Sequence, residues 1–399
     1  MKDKLQKISN LIQEGSHTAA LLAPKFWINT PPAPSYFVTD FETYNSALES
    51  LFITEKKWAS RFSRKTFFAY VEGKILKLRT SNLPVDDTFT STFFKDLEQT
   101  IPAAVTVVAP ISGIFLSSHT EFEIGCFRFF SSKKLMMPIA GEHECLCIAV
   151  RVNEIYDVDI ARQKAKSCFS DFCRIVHFLI GTFDKKNVIK VGLPLLPHHG
   201  PSCVYAETSS FAFLDDQERM MSSSISNKTF NAIPIDDTFF CAHETLKKVW
   251  ELYDSMYQEK RLTKMQQRLI NAVLAIGESA KSHDLRNSVI YSCVALETLF
   301  SFDEGSLFKP GIGEQIAEAL AFVIATDAES RLETYKFAKK IYAFRSALVH
   351  GGNKKISSEY IILNQYIRMA IASILNDSRW ENTFTIDKFY EQIKEARFA

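Results

Sequence analysis

The chain has 399 residues, of which 46% are hydrophobic and 23% are charged, and its formal net charge is +1. This length predicts two domains of ordinary globular composition. The near-neutral charge excludes a global basic field, so any contact with nucleic acid must rest on a local patch.

Cysteine usage and apolar segments predict the compartment. The eight cysteines are scattered along the chain, which is typical of a reduced cytosolic protein rather than a disulfide scaffold. The first residues contain no apolar signal core, and the longest apolar run, Ala319 to Ala325, is too short to span a bilayer. We therefore expect a cytoplasmic protein without membrane contact.

Residues 1–235 mix the patterns of strands and helices, which predicts an α+β domain built around a sheet. A helix is expected from about Asp159 to Leu179, where the periodicity is helical. Alternating, aromatic or continuously apolar segments predict strands. The expected strands are residues 67–78, 121–130, Cys145 to Val152, 187–196 and 203–214.

Residues 236–399 carry helical periodicity throughout, which predicts an all-α helical bundle as the C-terminal domain. The polar stretch from Ser222 to Asp236 ends in a proline-containing turn and is interpreted as the linker between the domains. The expected helices are residues 241–257, 261–280, 284–300, 311–325, 330–350 and 357–375.

The fifth of these helices ends in YAFRSALVHGG, from Tyr342 to Gly352. Rotation by about 100° per residue places Arg345 on the flank of an apolar stripe, and it places Ser346 and His350 on the opposite side. That opposite side is expected to meet a second subunit or a ligand, since it contains two tyrosines and a valine. The stripe comprises Phe337, Ile341, Phe344 and Leu348, and the opposite side comprises Tyr335, Lys339, Tyr342, Ser346, Val349 and His350.

Arg345 and His350 combine two side chains that are suited to phosphodiester chemistry. Histidine exchanges a proton near neutral pH, whereas the planar arginine fork fits a phosphate. Such a pair, taken from two subunits, could attack an RNA phosphodiester through the 2′-hydroxyl without a metal. The alternative is an ordinary helix end, because cations and a following glycine are favoured there.

The R-S-A-L-V-H sequence, together with YSCVALETLF from Tyr291 to Phe300, resembles the HEPN superfamily. More narrowly, it resembles the ApeA-like HEPN domains of bacterial anti-phage defence proteins. The resemblance covers residues 262–375. It implies a bundle of four to five helices that dimerises with its R-x4-H motifs facing each other, and metal-independent endoribonuclease activity in an antiviral setting.

This resemblance assigns roles to several residues. Arg345 would stabilise the charge on phosphate, His350 would act as general base or acid, and Ser346 would provide polar support. Lys339 and Tyr342 are candidate RNA contacts. Glu297 either orients Arg345 from the neighbouring helix or is a solvent-facing glutamate. Active members commonly have Asn, Asp or His where this chain has Ser346.

The partners expected are therefore RNA, a second copy of the chain and a phage-derived trigger that residues 1–235 would sense. The sequence contains no Walker lysine motif, GxSxG or HExxH, and we expect neither a cofactor nor a metal. Two alternatives remain open. The helical domain is a catalytically silent nucleotide-binding, partner-binding or dimerisation module, or the chain is a toxin partner or substrate receptor whose activity resides in another chain.

Overall fold

The computed structural model divides the chain into two compact units that do not follow the sequence in order. The first contains Met1–Val107 and Arg151–Lys166, and the second contains Val108–Val150 and Ser167–Ala399. The expected division between residues 235 and 236 falls inside the second unit, and it remains a prediction. The structure describes residues 1–15, 35–54, 56–135, 144–181, 189–193, 195, 197, 200, 202–214, 217–237, 243–282, 284–302, 311–349 and 359–398.

The first unit is mainly helical. Its helices are α1 (Lys2–Asn10), α2 (Phe41–Thr54), α3 (Lys56–Arg61), α4 (Arg64–Thr80) and α5 (Asp87–Glu98), and β1 (Ile12–Gly15) pairs antiparallel with β2 (Ser35–Val38). Leu5, Leu51, Trp58 and Phe67 lie in its apolar core. The returning segment is tied in by Asp157, whose carboxylate accepts the Ser63 backbone N–H at 2.7 Å.

The strand expected at residues 67–78 is wrong, because this segment lies within helix α4. The Ser63 side chain caps the helix by accepting the Thr66 backbone N–H. Phe67, Val71 and Ile75 are fully buried at four-residue spacing, so a helical stripe faces the core. The aromatic and β-branched residues favoured a strand locally, but the cap and the burial of every fourth side chain favour the helix.

A five-stranded sheet forms, and its strands lie in the order β5 (Glu121–Ile124), β6 (Phe127–Ser131), β7 (Leu146–Ile155), β3 (Ala103–Ser112) and β8 (Lys190–Val191). The strand expected at residues 145–152 is confirmed, and so is the helix expected from 159, which is α6 (Val158–Ile180). The segment 121–130 is strand as expected, but it forms two antiparallel strands joined by a turn at Gly125 and Cys126. Among the described residues of the segment 187–196, Lys190 and Val191 form a strand. Strand β4 is Ile114–Phe115.

The interpretation of Ser222 to Asp236 as a linker is wrong. Strand β10 (Met220–Asn231) covers most of it and pairs antiparallel with β9 (Cys203–Leu214), and β11 (Ile233–Pro234) pairs in parallel with β4. The serine-rich sequence resembles a linker because almost every described side chain of β10 is exposed. Its strand conformation depends on main-chain pairing with β9, which composition does not reveal.

The C-terminal region is helical, and its six expected helices are all present within a few residues of the expected bounds. A seventh helix, α13 (Ile386–Phe398), was not expected. It is fixed by Phe389, whose ring stacks against Phe300 and Trp380. The others are α7 (Glu244–Tyr257), α8 (Lys264–Lys281), α9 (Leu285–Phe300), α10 (Ile312–Ile324), α11 (Ala328–Val349) and α12 (Glu359–Asn376).

The fold class at this level is an N-terminal α/β region with a sheet, followed by a helical region. Across the described ranges, no helix has both the length and the apolar character needed to cross a membrane.

Candidate functional site

Helix α11 buries a different face from the one expected. Thr334, Ala338 and Ile341 are buried, whereas Phe337 and Phe344 are only partly buried. At about 100° per residue, these buried positions centre about 70° from Phe337. Arg345 therefore lies in the middle of the inward face and not on its flank. Phe337 instead packs edge-on against Tyr366 of α12.

Arg345 forms an ion pair with Glu297 of α9. Its Nη2 atom lies 3.1 Å from Glu297 Oε1 and 3.3 Å from Oε2, and each of the two side chains is 27% exposed. The sequence left two interpretations of Glu297 open, contact with Arg345 or exposure to solvent, and the structure shows the contact. The Arg345 Nε atom is buried and has no hydrogen-bond partner among the described residues. The guanidinium is thus held through Nη2, whereas its Nε–H group is unsatisfied within the described residues.

Tyr342 shares the same carboxylate. Its hydroxyl donates to Glu297 Oε1 at 2.9 Å, and the Arg345 guanidinium lies 5.9 Å from the centre of its ring. Burial and the hydrogen bond to Glu297 raise the pKa of Tyr342 to about 12. Tyr342 is therefore a neutral donor at physiological pH, and it orients the carboxylate that holds Arg345.

The position of the Tyr342 ring depends on Gly313, in the first turn of α10. A Cβ atom at residue 313 would lie 2.6 Å from Tyr342 Cδ1, which is closer than van der Waals contact permits. The sequence alone does not connect Gly313, within PGIGEQ, to the site. Nothing in this segment indicates that a tyrosine ring from another helix packs against residue 313.

Two more residues of the side that carries Tyr342, namely Tyr335 and Lys339, are also engaged within the chain. The Tyr335 hydroxyl donates to Glu314 Oε1 at 2.8 Å. Lys339 lies over the Tyr335 ring, and its Nζ atom is 3.9 Å from Glu314 Oε1. Tyr335 thus contacts α10, and Tyr342 contacts both α9 and α10 of the same chain. The expected contact of this face with a second subunit or a ligand stays a prediction.

The other two motif residues cannot be joined to this network. Ser346 lies within α11, and its side chain is outside what the structure describes. His350 lies outside the described residues, one position beyond the end of α11 at Val349. The structure therefore brings together Glu297, Tyr342 and Arg345, and places Lys339 beside Glu314.

The charges of this ion pair affect the pKa of a buried thiol, that of Cys293. Cys293, one turn before Glu297 on α9, is fully buried, and this burial raises its pKa to about 12, against a smaller lowering effect of Arg345. It is therefore a protonated, unreactive thiol. No group of three His, Cys, Asp or Glu side chains in the described part of the chain has a geometry that could hold a metal ion.

Comparisons with protein-family models, with curated proteins and with solved structures gave no match to this chain.

Proposed function

We propose that the chain is a metal-independent endoribonuclease of an anti-phage, abortive-infection type of defence system. The observation that carries the proposal is the R-x4-H sequence from Arg345 to His350 at the end of a bundle helix, with Arg345 held by Glu297 from the helix that contains ALETLF. A fixed guanidinium of this kind is suited to a phosphate, because its orientation is set before the substrate arrives.

The proposed reaction is an internal attack within RNA. A general base, His350 in one copy, removes the proton of a 2′-hydroxyl, and the 2′-oxygen forms a bond to the adjacent phosphorus. The bond from phosphorus to the 5′-oxygen breaks, and that oxygen takes up a proton from a histidine acting as general acid. The products are a 2′,3′-cyclic phosphate and a 5′-hydroxyl. Arg345 stabilises the charge that develops on the phosphate oxygens.

The proposal assigns further roles by position. Ser346 gives polar support, and Lys339 and Tyr342 contact the RNA. The composite site forms across a homodimer in the cytoplasm. Residues 1–235 sense a phage-derived trigger and hold the nuclease in check until that trigger binds.

The ion pair with Glu297 supports a second candidate function, because it compensates the charge of Arg345. Because Glu297 already neutralises this guanidinium, Arg345 has less free charge to offer a phosphate. This observation favours a catalytically silent HEPN-type domain that binds a nucleotide or a partner, or that serves dimerisation. In this reading Arg345 and Glu297 fix the packing of α9 against α11.

The test compares the purified full-length protein with Arg345→Ala and His350→Ala on a single-stranded RNA in the presence of EDTA. Because the nuclease is proposed to be held in check, the reactions include a lysate of phage-infected cells as the source of the trigger. The proposal then expects new ends that carry a 2′,3′-cyclic phosphate with wild type and none with either variant. Arg331→Ala is the matched control, since Arg331 lies on the same helix and donates to the Ala325 carbonyl. It should cleave like wild type.

The assay is repeated in cells that express the protein during phage infection, with total RNA mapped at new 5′ ends. Wild type that shows no cleavage in either setting would overturn the nuclease proposal. RNA binding without cleavage, unchanged by His350→Ala, would support the silent module.

A further inference from the structure

A cavity of about 320 Å³ lies between the β5–β6 hairpin and helix α7, both of which belong to the second unit. This volume is near the lower end of the range for small-molecule sites. The lining positions on α7 follow one another at intervals of three, one and three residues, so they share one face of the helix. The hairpin contributes Phe122 and Glu123 to the lining, and α7 contributes Lys247, Trp250, Glu251 and Asp254.

The wall formed by Trp250 is fixed before any ligand arrives. Its ring stacks on Phe172 of α6, with 5.8 Å between the ring centres, and it meets Phe127 of β6 edge-on at 6.2 Å. The hairpin turn also lies against this residue, since a Cβ atom on Gly125 would be 3.8 Å from the Trp250 backbone oxygen. Trp250 is only 4% exposed, so the cavity has a preformed aromatic side.

Three carboxylates line the cavity, and they differ in how far they are engaged. Glu123 Oε1 lies 3.8 Å from Arg128 Nε, and Asp254 Oδ2 accepts a hydrogen bond from Gln258 at 2.6 Å. Glu251 is exposed and forms no ion pair with any residue that the structure describes. The excess of negative charge attracts a cation and repels the phosphates of a nucleic acid.

Two hydrogen-bond donors belong to the same lining. Lys247 is exposed, and it forms no ion pair within the described ranges although Glu251 is one turn away. The indole N–H of Trp250 is buried and has no hydrogen-bond partner in the described part of the chain. A buried donor without a partner is unfavourable, so an acceptor that reaches it is bound favourably. A ligand that satisfies this lining therefore carries an anionic acceptor as well as a cation.

We propose that the cavity binds a free α-amino acid with a basic side chain, of the arginine type. Its α-carboxylate accepts from Lys247 and from the Trp250 N–H, and its guanidinium pairs with Glu251 and Asp254. The α-ammonium group adds a contact with Glu123. The methylene stem of the ligand packs against the aromatic side of the cavity.

The length of the cavity suits such a ligand. Lys247 and Asp254 are seven residues apart, which corresponds to about 10 Å along the helix axis. An extended arginine has its carboxylate and its guanidinium at opposite ends of a comparable length. A metal ion fits less well, because no group of three His, Cys, Asp or Glu side chains among the described residues could hold one.

Isothermal titration calorimetry on the full-length chain without RNA tests the site, so its outcome does not depend on the proposed function. L-Arginine should bind with a Kd below about 1 mM, and it should raise the Tm as its concentration increases. L-Citrulline replaces the guanidinium by a neutral urea group, and agmatine lacks the carboxylate. Each of these two compounds should bind at least about tenfold more weakly than L-arginine.

Two variants separate the ends of the ligand. Glu251→Gln should weaken the binding of L-arginine by about tenfold or more. Lys247→Gln should also weaken L-arginine, but it should leave agmatine unchanged or bound more tightly, because agmatine offers no carboxylate to Lys247. Both positions are exposed, and circular dichroism checks that the variants are folded. The matched control is Glu259→Gln, at an exposed position two residues beyond the end of α7, which should bind L-arginine like wild type.

Three results would overturn the proposal. The first is the absence of L-arginine binding at millimolar concentration, and the second is an affinity for L-arginine that neither variant changes. The third is that N-acetyl-L-arginine amide, in which both α-groups are blocked, binds as tightly as the free amino acid. That result would assign the cavity to an arginine side chain of a partner protein.

Discussion

The ring of Tyr342 lies directly over Gly313, so that a Cβ atom on residue 313 would be 2.6 Å from Cδ1 of the ring. This contact joins α10 to the ion pair between Glu297 and Arg345, because the hydroxyl of the same tyrosine donates to Glu297. The orientation of Arg345 thus depends on a glycine in another helix, 32 residues earlier in the sequence.

Gly313→Ala should lower the free energy of unfolding by about 1–3 kcal/mol, because the ring must move and release Glu297. In a Tyr342→Ala background the same change should instead be neutral or raise stability by up to about 1 kcal/mol, since alanine is the better helix former. A double-mutant cycle by urea denaturation measures this coupling. Equal effects in both backgrounds would show that the contact does not restrict residue 313.

Gly277→Ala should destabilise the second unit by more than about 3 kcal/mol or prevent its folding, because no side-chain movement can relieve the clash. A Cβ at this position would lie 2.0 Å from the backbone oxygen of Arg174. The matched control is Gly73→Ala in the exposed face of α4, where nothing lies within 4 Å. Thermal unfolding should show that the control is unchanged or slightly more stable.

Asp236→Asn should cost about 2–4 kcal/mol, because its buried carboxylate accepts the backbone N–H groups of Ser117, Ser118 and His119. An amide cannot accept all of these bonds. The surface pair of Asp87 with Lys2 supplies the control, since Asp87→Asn should change stability by less than about 0.5 kcal/mol. Equal losses from both changes in urea denaturation would contradict the prediction.

The Asp236 carboxylate also predicts that the free energy of unfolding falls in acid. Burial alone would raise the pKa of Asp236, but the hydrogen bonds from residues 117–119 outweigh it and hold the pKa well below its usual range. A lowered folded pKa stabilises the fold fully above about pH 4, the value in the unfolded chain, and the contribution is lost as pH falls. Urea midpoints between pH 5 and pH 2 should therefore fall more steeply for wild type than for Asp236→Asn.

Alkaline pH should destabilise the protein through its buried thiols. Burial raises the pKa of Cys173 and of Cys293 to about 12. Unfolded thiols ionise at about pH 8.5, so above this pH the unfolded state loses protons that the folded state keeps. Each thiol should then lower the free energy of unfolding by about 1.4 kcal/mol per pH unit until about pH 12. Denaturation at pH 7.5, 9 and 10 should give a shallower slope for Cys293→Ala than for wild type, whereas equal slopes would exclude Cys293 as a source.

If the site binds RNA, Glu314→Gln should strengthen that binding. Its carboxylate lies beside Lys339, and its removal leaves the ammonium group free to meet a phosphate. Affinity should rise about twofold to fivefold, with a salt dependence steeper by up to about one released ion. Glu333→Gln is the control, at an exposed position of α11, the helix that carries Lys339. Filter binding over a range of salt concentrations measures both, and a Lys339→Ala protein that binds as wild type does would remove Lys339 from the RNA contacts.

The helical half of the chain was largely predictable from sequence. Apolar residues recur there at helical spacing, and Thr263 with Gln266 forms a capping box that fixes where α8 begins. The N-terminal half was less predictable, since Phe67, Val71 and Ile75 read as strand residues locally and are buried in a helix. The strand β10 could not be read from its serine-rich sequence, because its conformation is set by pairing with β9.

The candidate site was predictable only in part. The contact between Glu297 and Arg345 was one of two readings, and the structure shows it. The position of Arg345 on the inward face was missed, because the small buried residues Thr334 and Ala338 carry little hydrophobic signal compared with the partly exposed Phe337. The need for Gly313 could not be inferred, since it arises from close packing between separate helices.

The interleaving of the two units affects how the chain can be made and divided. The polypeptide leaves the first unit after Val107, returns at Arg151 and departs again after Lys166. During synthesis, the first unit cannot be completed until Lys166 has left the ribosome. A single cut anywhere between residues 108 and 150 would remove the returning segment, with Asp157, from the first unit. In evolution, an exchange of either unit between genes would therefore need more than one junction.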